Sequence, residues 1–357
     1  MEVEQAIIVA STPRPCAISI SRINSCRRLH RWRAFRRRRN LRWWGLRLAI
    51  VVGVLVAFEL FSRFGLGLGD PPLSRADPEI EYLFVGPRVY HRFGHRIEYN
   101  SFSQRTREFD ARRKDPNELR IMVVGDSVIN GGVLTDQSEL ATVLLETRLQ
   151  AELKRSTVVM NVSAGSWGPP NYLAYVKRFG FFEANALAIV VSAHDFADSP
   201  TWEPVVGSQN FPDRTPTFAT LELLERYAAP RVLAFFQRSA MAPEPTQGEI
   251  DQALGAFREL IGMATQRKTP VLVLYHPERD EHGQPEGMLA FQGIAKELSV
   301  PFASLGEAFA KQQTGGASPY RDGIHYNALG QKMMAEAMFG PLAAVVRVGV
   351  AAPQSTP

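Results

Sequence analysis

Leu119-Arg120-Ile121-Met122-Val123-Val124-Gly125-Asp126-Ser127 is an almost unbroken apolar run that stops at a small, acidic, hydroxyl-bearing turn. A continuous apolar run of this length reads as a strand buried on both faces, the type found in parallel sheets covered by helices. Working outward, the same pattern recurs. Thr157–Val162, Leu187–Ser192, Pro270–Tyr275 and the short Pro301–Ser304 read as four further strands. Between them lie helical stretches at Glu139–Leu153, from Pro169-Pro170 onward, at Thr217–Arg238, Glu249–Arg267 and Pro285–Leu298, and a closing helix at Asn327–Arg347. In the first of these, Leu140, Val143, Leu144 and Leu149 are the expected core side chains; in the last, Met333, Met334, Ala337 and Met338. Strands alternating with amphipathic helices predict an α/β fold, a three-layer α/β/α sandwich around a mainly parallel, flavodoxin-like, five-stranded sheet. Chemistry in such a sheet gathers beyond the carboxyl ends of the strands, where Ser127, Gly165 and His194 all fall.

Ser127 has candidate partners about two hundred residues on, in Asp322-Gly323-Ile324-His325. A serine at a strand tip, an imidazole to take its proton and a carboxylate to hold that imidazole form a nucleophilic hydrolase constellation. Asp126 is expected to bond backbone amides around the turn, and His276 and His282 to be solvated loop residues. His194, Asp195 and Asp198 have loose spacing for a metal site, so no metal and no cofactor are expected. Phe196–Phe218 is polar and proline-rich, with Trp202, Pro204, Pro212 and Pro216, and reads as a lid or binding loop.

The 357-residue chain carries a net charge of +5 that is unevenly placed. Residues 1–47 hold twelve arginines against two glutamates, so the remainder is weakly acidic, about −5. The basic pI therefore belongs to an arm, and a nucleic-acid-binding body is excluded as an expectation. Both cysteines, Cys16 and Cys26, lie in the arm, which rules out a disulfide framework or thiolate metal site in the body. Arg36–Arg39 and Arg42 precede Trp43-Trp44, and Trp43–Ser62 gives twenty residues with one Arg and one Glu near the ends. Twenty residues at about 1.5 Å each match a bilayer core of about 30 Å. The tandem tryptophans suit a membrane interface, and the positive flank predicts the N-terminus inside. A cleaved signal is disfavoured by the lack of a small-x-small site, and a buried helix by the arginine run. The expected organisation is a basic cytoplasmic arm (1–42), a signal anchor (43–64), a linker and lead-in (65–118), a catalytic domain (119–347) and a disordered tail (348–357). The anchor would sit in an inner membrane with the body periplasmic or otherwise extracytoplasmic.

Three blocks resemble those of the SGNH hydrolases, also called GDSL esterases. Gly125-Asp126-Ser127 with Gly131 is similar to the first, Asn161-Val162-Ser163-Ala164-Gly165 to the second, and Asp322-Gly323-Ile324-His325 to the last. Together they cover roughly residues 119–347. The resemblance implies Ser127 as nucleophile, His325 as general base and Asp322 as its partner. It implies an oxyanion hole from the backbone N–H groups of Ser127 and Gly165. The third block departs: Ser192-Ala193-His194-Asp195 stands where the family has G-x-N-D, so His194 takes the place of an asparagine donor. An imidazole N–H can still donate. Arg92-Phe93-Gly94 to Asn100-Ser101, then Arg105, resembles a lead-in of membrane-anchored bacterial members. These often occur with surface-polysaccharide machinery. The implied partners are an acylated carbohydrate or other ester, membrane lipid around the N-terminal helix and polysaccharide-export proteins. The implied activity is a serine esterase. An O-acyltransferase, or a non-catalytic glycan-binding subunit of an export complex, are the alternatives.

Overall fold

A computed structural model describes residues 40, 42–201, 205–236, 244–313 and 316–351. The basic arm to residue 39, Trp202 and Pro204 of the long loop, and residues 352–357 of the tail lie outside them. The chain divides into two units, Met1–Phe58 and Glu59–Pro357. The first, where described, is most of helix α1, Arg42–Gly65, 24 residues with mean hydropathy 2.0 over its most apolar window.

The second unit begins with two antiparallel hairpins. β1 (Ser74–Asp77) pairs with β2 (Glu81–Phe84), and β3 (Arg88–Arg92) with β4 (His95–Tyr99). The main sheet follows: β5 (Leu119–Gly125), α2 (Ser127–Asn130), α3 (Ala141–Leu153), β6 (Thr157–Ser163), α4 (Pro169–Phe179) and β7 (Ala186–Val191). After α5 (Ala219–Glu222), a π-helical segment (Leu223–Ala228) and α6 (Ala229–Phe236) come α7 (Gln247–Gln266), β8 (Val271–Tyr275), α8 (Glu286–Glu297), β9 (Phe302–Ser304), α9 (Gly306–Gln313) and α10 (Ala328–Ala351). The five strands are parallel in the order β6-β5-β7-β8-β9, the flavodoxin-like arrangement.

Every residue of β5, β6, β7 and β8 is buried, as apolar runs covered on both faces must be. One core lies under α3, α9 and α10, and includes Leu145, Leu149, Phe309, Met334 and Met338. The other lies under α4, α7 and α8, with Tyr172, Tyr175, Phe257, Leu260 and Phe291. Helix starts are set by local chemistry. Two prolines open α4, where a missing N–H costs nothing. Thr246 and Glu249 cap α7 reciprocally.

The sheet register decides where the chemistry sits. Gly125 pairs with Ser163, Val124 with Ile189, and Val191 with Tyr275, so the loops after β5, β6 and β7 emerge together. The strand order reverses at β5, which makes this edge the crevice of the sheet. Three expectations shift. Val143 is only half-buried, because Ala141, Leu145 and Leu149 form the inward face of α3. Helix α9, absent from the sequence reading, covers the sheet beside β9. The hairpins and the residues around Arg105 pack as part of the second unit rather than standing apart as a linker. Arg105 is fully buried and donates to the carbonyls of Gly132 (2.9 Å) and Thr135 (3.0 Å) and to Gln137 Oε1 (2.9 Å).

Candidate active site

Ser127 is the first residue of α2. The preceding Asp126 caps that helix, its Oδ1 accepting the Val128 N–H at 2.9 Å. Four residues later Gly131 ends the turn at φ 73°, donating its N–H to Ser127 O at 2.9 Å. A side chain there would be strained by the backbone and would also meet Leu140 Cδ2 at 2.5 Å. The tight strand-to-helix turn leaves the serine hydroxyl half-exposed above a buried strand.

His325 arrives from the segment before α10. Its Nε2 lies 2.9 Å from Ser127 Oγ, and its Nδ1 lies 2.9 Å from Asp322 Oδ2. Asp322 Oδ1 accepts the N–H groups of His325 (2.8 Å) and Ile324 (3.0 Å). Partial burial pushes the Asp322 carboxyl up. The two amide bonds and the His325 ring outweigh it and hold the group below the ordinary carboxylate range. An ionised Asp322 fixes the Nδ1–H tautomer and leaves Nε2 free to accept the Ser127 proton.

Gly165 follows β6, its carbonyl accepting Tyr82 Oη–H at 2.6 Å. A Cβ at Gly165 would meet only ordinary contacts, 3.5 Å from Tyr82 Oη and 3.8 Å from Phe211. Neither the Ser127 nor the Gly165 backbone N–H has a hydrogen-bond partner among the described residues. Both residues line a cleft of about 520 Å³ together with His325 and His194. Phe211, from the long loop, packs on Tyr82 at 4.5 Å between ring centroids and forms part of the wall.

His194 stands on the turn after β7. Helix α8 presses so close that a Cβ on Gly287 would fall 2.0 Å from the Ala193 carbonyl oxygen, which fixes that turn. The ring Nδ1 lies 2.8 Å from Ser192 Oγ and 3.0 Å from Glu278 Oε1. Nε2 stands 3.7 Å from Asp126 Oδ2 and 3.9 Å from Asp195 Oδ1, beyond hydrogen-bond reach of either. Burial works against charge on this ring. The carboxylates of Asp195, Glu278 and Asp126 prevail and raise it to about 10. Burial in turn pushes the Asp195 carboxyl up, opposed by His194 and reinforced by Asp126. Asp126, His194 and Asp195 offer potential ligand atoms within 4.8 Å of one another. Glu278 is the partner that sequence reasoning missed; it lies beyond β8, and nothing in its spacing links it to His194.

His276 departs from its sequence reading as a solvated loop residue. It is fully buried, with Nδ1 3.3 Å from Tyr326 Oη and Nε2 4.0 Å from Asp126 Oδ1. Burial lowers its pKa and favours the neutral ring. The chain after β8 turns back beneath Tyr326, a non-local contact without a sequence signature. His282 is exposed, as read.

No family model and no curated protein matches the chain. Among solved structures it is similar to LAE5, an α/β hydrolase enzyme from the metagenome of Lake Arreo, Spain. The two are 13% identical over 64% of this chain and 96% of that one, with a TM-score of 0.42. It is also similar to an acetylxylan esterase, Axe2, from Geobacillus stearothermophilus, at 12% identity over 62% and 93% of the two chains and a TM-score of 0.41. A psychrotrophic esterase, EstA, from Pseudoalteromonas sp. is 13% identical over 64% and 98%, with a TM-score of 0.40. Those activities are the other proteins' own.

Proposed function

We propose that this protein is an SGNH-type serine esterase, held in a membrane by α1, that removes O-acyl groups, acetyl foremost, from a carbohydrate or related ester. The observation that carries this reading is the 2.9 Å approach of His325 Nε2 to Ser127 Oγ, with Nδ1 of the same ring 2.9 Å from Asp322. Ser127 Oγ attacks the ester carbonyl while His325 takes its proton, forming a tetrahedral oxyanion. The backbone N–H groups of Ser127 and Gly165 meet that oxygen. The uncommitted Nε2–H of His194 is the third donor, taking the part of the family's asparagine with the added benefit of positive charge. His325 then hands the proton to the leaving alcohol, the carbonyl re-forms, and the acyl group rests on Ser127. Water, deprotonated by His325, repeats the sequence and releases the acid.

The half-exposed position of the triad suits an ester carried on a bulky alcohol. The membrane part of the proposal is supported by the length and apolarity of α1, and by the arginine-rich flank before it. The test is hydrolysis of a short-chain aryl acetate by the full-length protein in detergent, beside Ser127→Ala. Loss of the nucleophile is expected to lower kcat by about 10³-fold or more. Equal rates for the two proteins remove Ser127 from the chemistry. An acceptor oligosaccharide added to the same assay separates hydrolysis from transfer, since acylated acceptor in place of free acid identifies an acyltransferase.

A further inference from the structure

The helical run from α5 through α6 exposes more apolar surface than a water-facing segment should. Phe218, Leu221, Leu224, Val232 and Leu233 are each between 44% and 58% exposed. Single exposed apolar residues need no explanation, but five on one short helical segment do. The start of this segment is fastened to the end of α1. Glu59 Oε1 and Oε2 accept the N–H groups of Ala219 and Thr220, both at 2.9 Å, and Arg63 Nη2 donates to the Thr217 carbonyl at 3.1 Å. In those last turns of α1, Leu60, Phe61 and Phe64 are likewise between 49% and 78% exposed. Two exposed apolar surfaces thus meet where the helix read as membrane-spanning ends.

We propose that the segment Phe218–Leu233 lies in the bilayer interface as a second membrane contact. The inference rests on the reading of α1 as the membrane span. Lipid is the occupant because Glu59, accepting, and Arg63, donating, tie the start of the segment to the chain that directly follows the residues read as membrane-spanning. Exposed Glu225 and Arg231 on the same run set the depth, since charged groups keep such a helix at the headgroup level rather than within the hydrocarbon. The inward face is anchored to protein: Glu222 is nearly fully buried, accepts the Gly69 N–H at 2.6 Å and pairs with buried Arg92. Arg226, from the same segment, lines the cleft that holds Ser127 and His325. The contact therefore holds that cleft beside the bilayer surface, where an ester borne by a membrane-held carrier can reach it.

The experiment uses the full chain with Cys16→Ser and Cys26→Ser, reconstituted in phosphatidylcholine–phosphatidylglycerol nanodiscs. Single cysteines replace Leu221, Leu224, Val232 or Leu233, and each carries a nitroxide. Val52→Cys within α1 reports lipid, and Lys114→Cys reports water. Accessibility to oxygen relative to a nickel chelate is expected to be about threefold or more higher at the four positions than at 114. Values equal to those at 114, with lipid-like values at 52, overturn the second contact and leave the anchor standing. Water-like values at 52 overturn the anchor and the contact with it. Exclusion of both reagents with label–label broadening identifies a second copy as the occupant and also overturns the proposal. In the chain without added cysteines, hydrogen exchange over 218–233 is expected to slow in nanodiscs relative to detergent; unchanged exchange counts against the contact even if a labelled variant misfolds.

Discussion

His194 carries the sharpest electrostatic consequence at the level of a single side chain. The fold raises its pKa from an ordinary value near 6.5 to about 10, against the cost of burial, through Asp195, Glu278 and Asp126. A group that holds its proton more tightly when folded adds stability that is complete below its unfolded pKa. That stability fades as pH climbs through the folded value. The melting temperature in detergent is therefore expected to fall as pH rises from about 6.5 to about 10. Replacing both residues, His194→Asn with Asp195→Asn, should flatten much of that slope. A flat profile for the unaltered protein, or an equal slope in the double variant, contradicts the assigned charge state. At this scale three spaced blocks of the sequence singled out Ser127, Gly165, Asp322 and His325, and the fold joins Ser127, His325 and Asp322 in one hydrogen-bonded chain. It was silent on Glu278 and misleading on His276. Both follow β8, and their surroundings depend on how the chain folds back toward β5 and the segment before α10.

Single elements were legible in proportion to how local their cause is. β5 to β8 announced themselves because burial on both faces demands continuous apolar sequence, and α4 because two prolines mark its start. Tyr82–Val85 and Arg88–Tyr99 read only as short extended stretches, and their pairing into hairpins, like helix α9, did not show. Their stability comes from what they meet, such as Tyr82 against Phe211 and Trp167, or Phe309 against Tyr326. The attachment of α5 to the β3–β4 hairpin is the clearest such case. Arg92 and Glu222 form an ion pair, 0% and 5% exposed, and Arg92 also donates to the carbonyl of Gly67 and to Tyr227 Oη. Removing one member strands the other without water. Arg92→Met is expected to cost about 3–5 kcal/mol, with Arg226, 3.8 Å from Glu222, recovering part. The double change Arg92→Met with Glu222→Leu removes both charges and should melt higher than Arg92→Met alone. If the two variants melt together, the pair does not hold the helix to the hairpin.

Charge and cysteine placement across the whole chain yield a test of orientation. The arm carries about +10 and the remainder about −5, so a membrane crossed by α1 separates two parts of opposite sign. Positive charge flanking a first span is retained on the cytoplasmic side, so the proposed anchor would put the arm inside and the sheet, with its crevice, outside. The chain's two cysteines report on this directly, since both lie in the arm. A membrane-impermeant maleimide applied to intact spheroplasts is expected to leave the natural protein unlabelled, and to label it once the membrane is opened. With Cys16 and Cys26 replaced by serine and a cysteine placed at Lys114, whose side chain is 80% exposed, labelling should occur before the membrane is opened. The reverse pattern would turn the molecule around and deny the crevice any substrate outside the cell. Under the proposed function, the expected pattern would restrict the substrate to esters that reach the outer face, where an acyl group on a large glycan could enter the cleft that Ser127 lines.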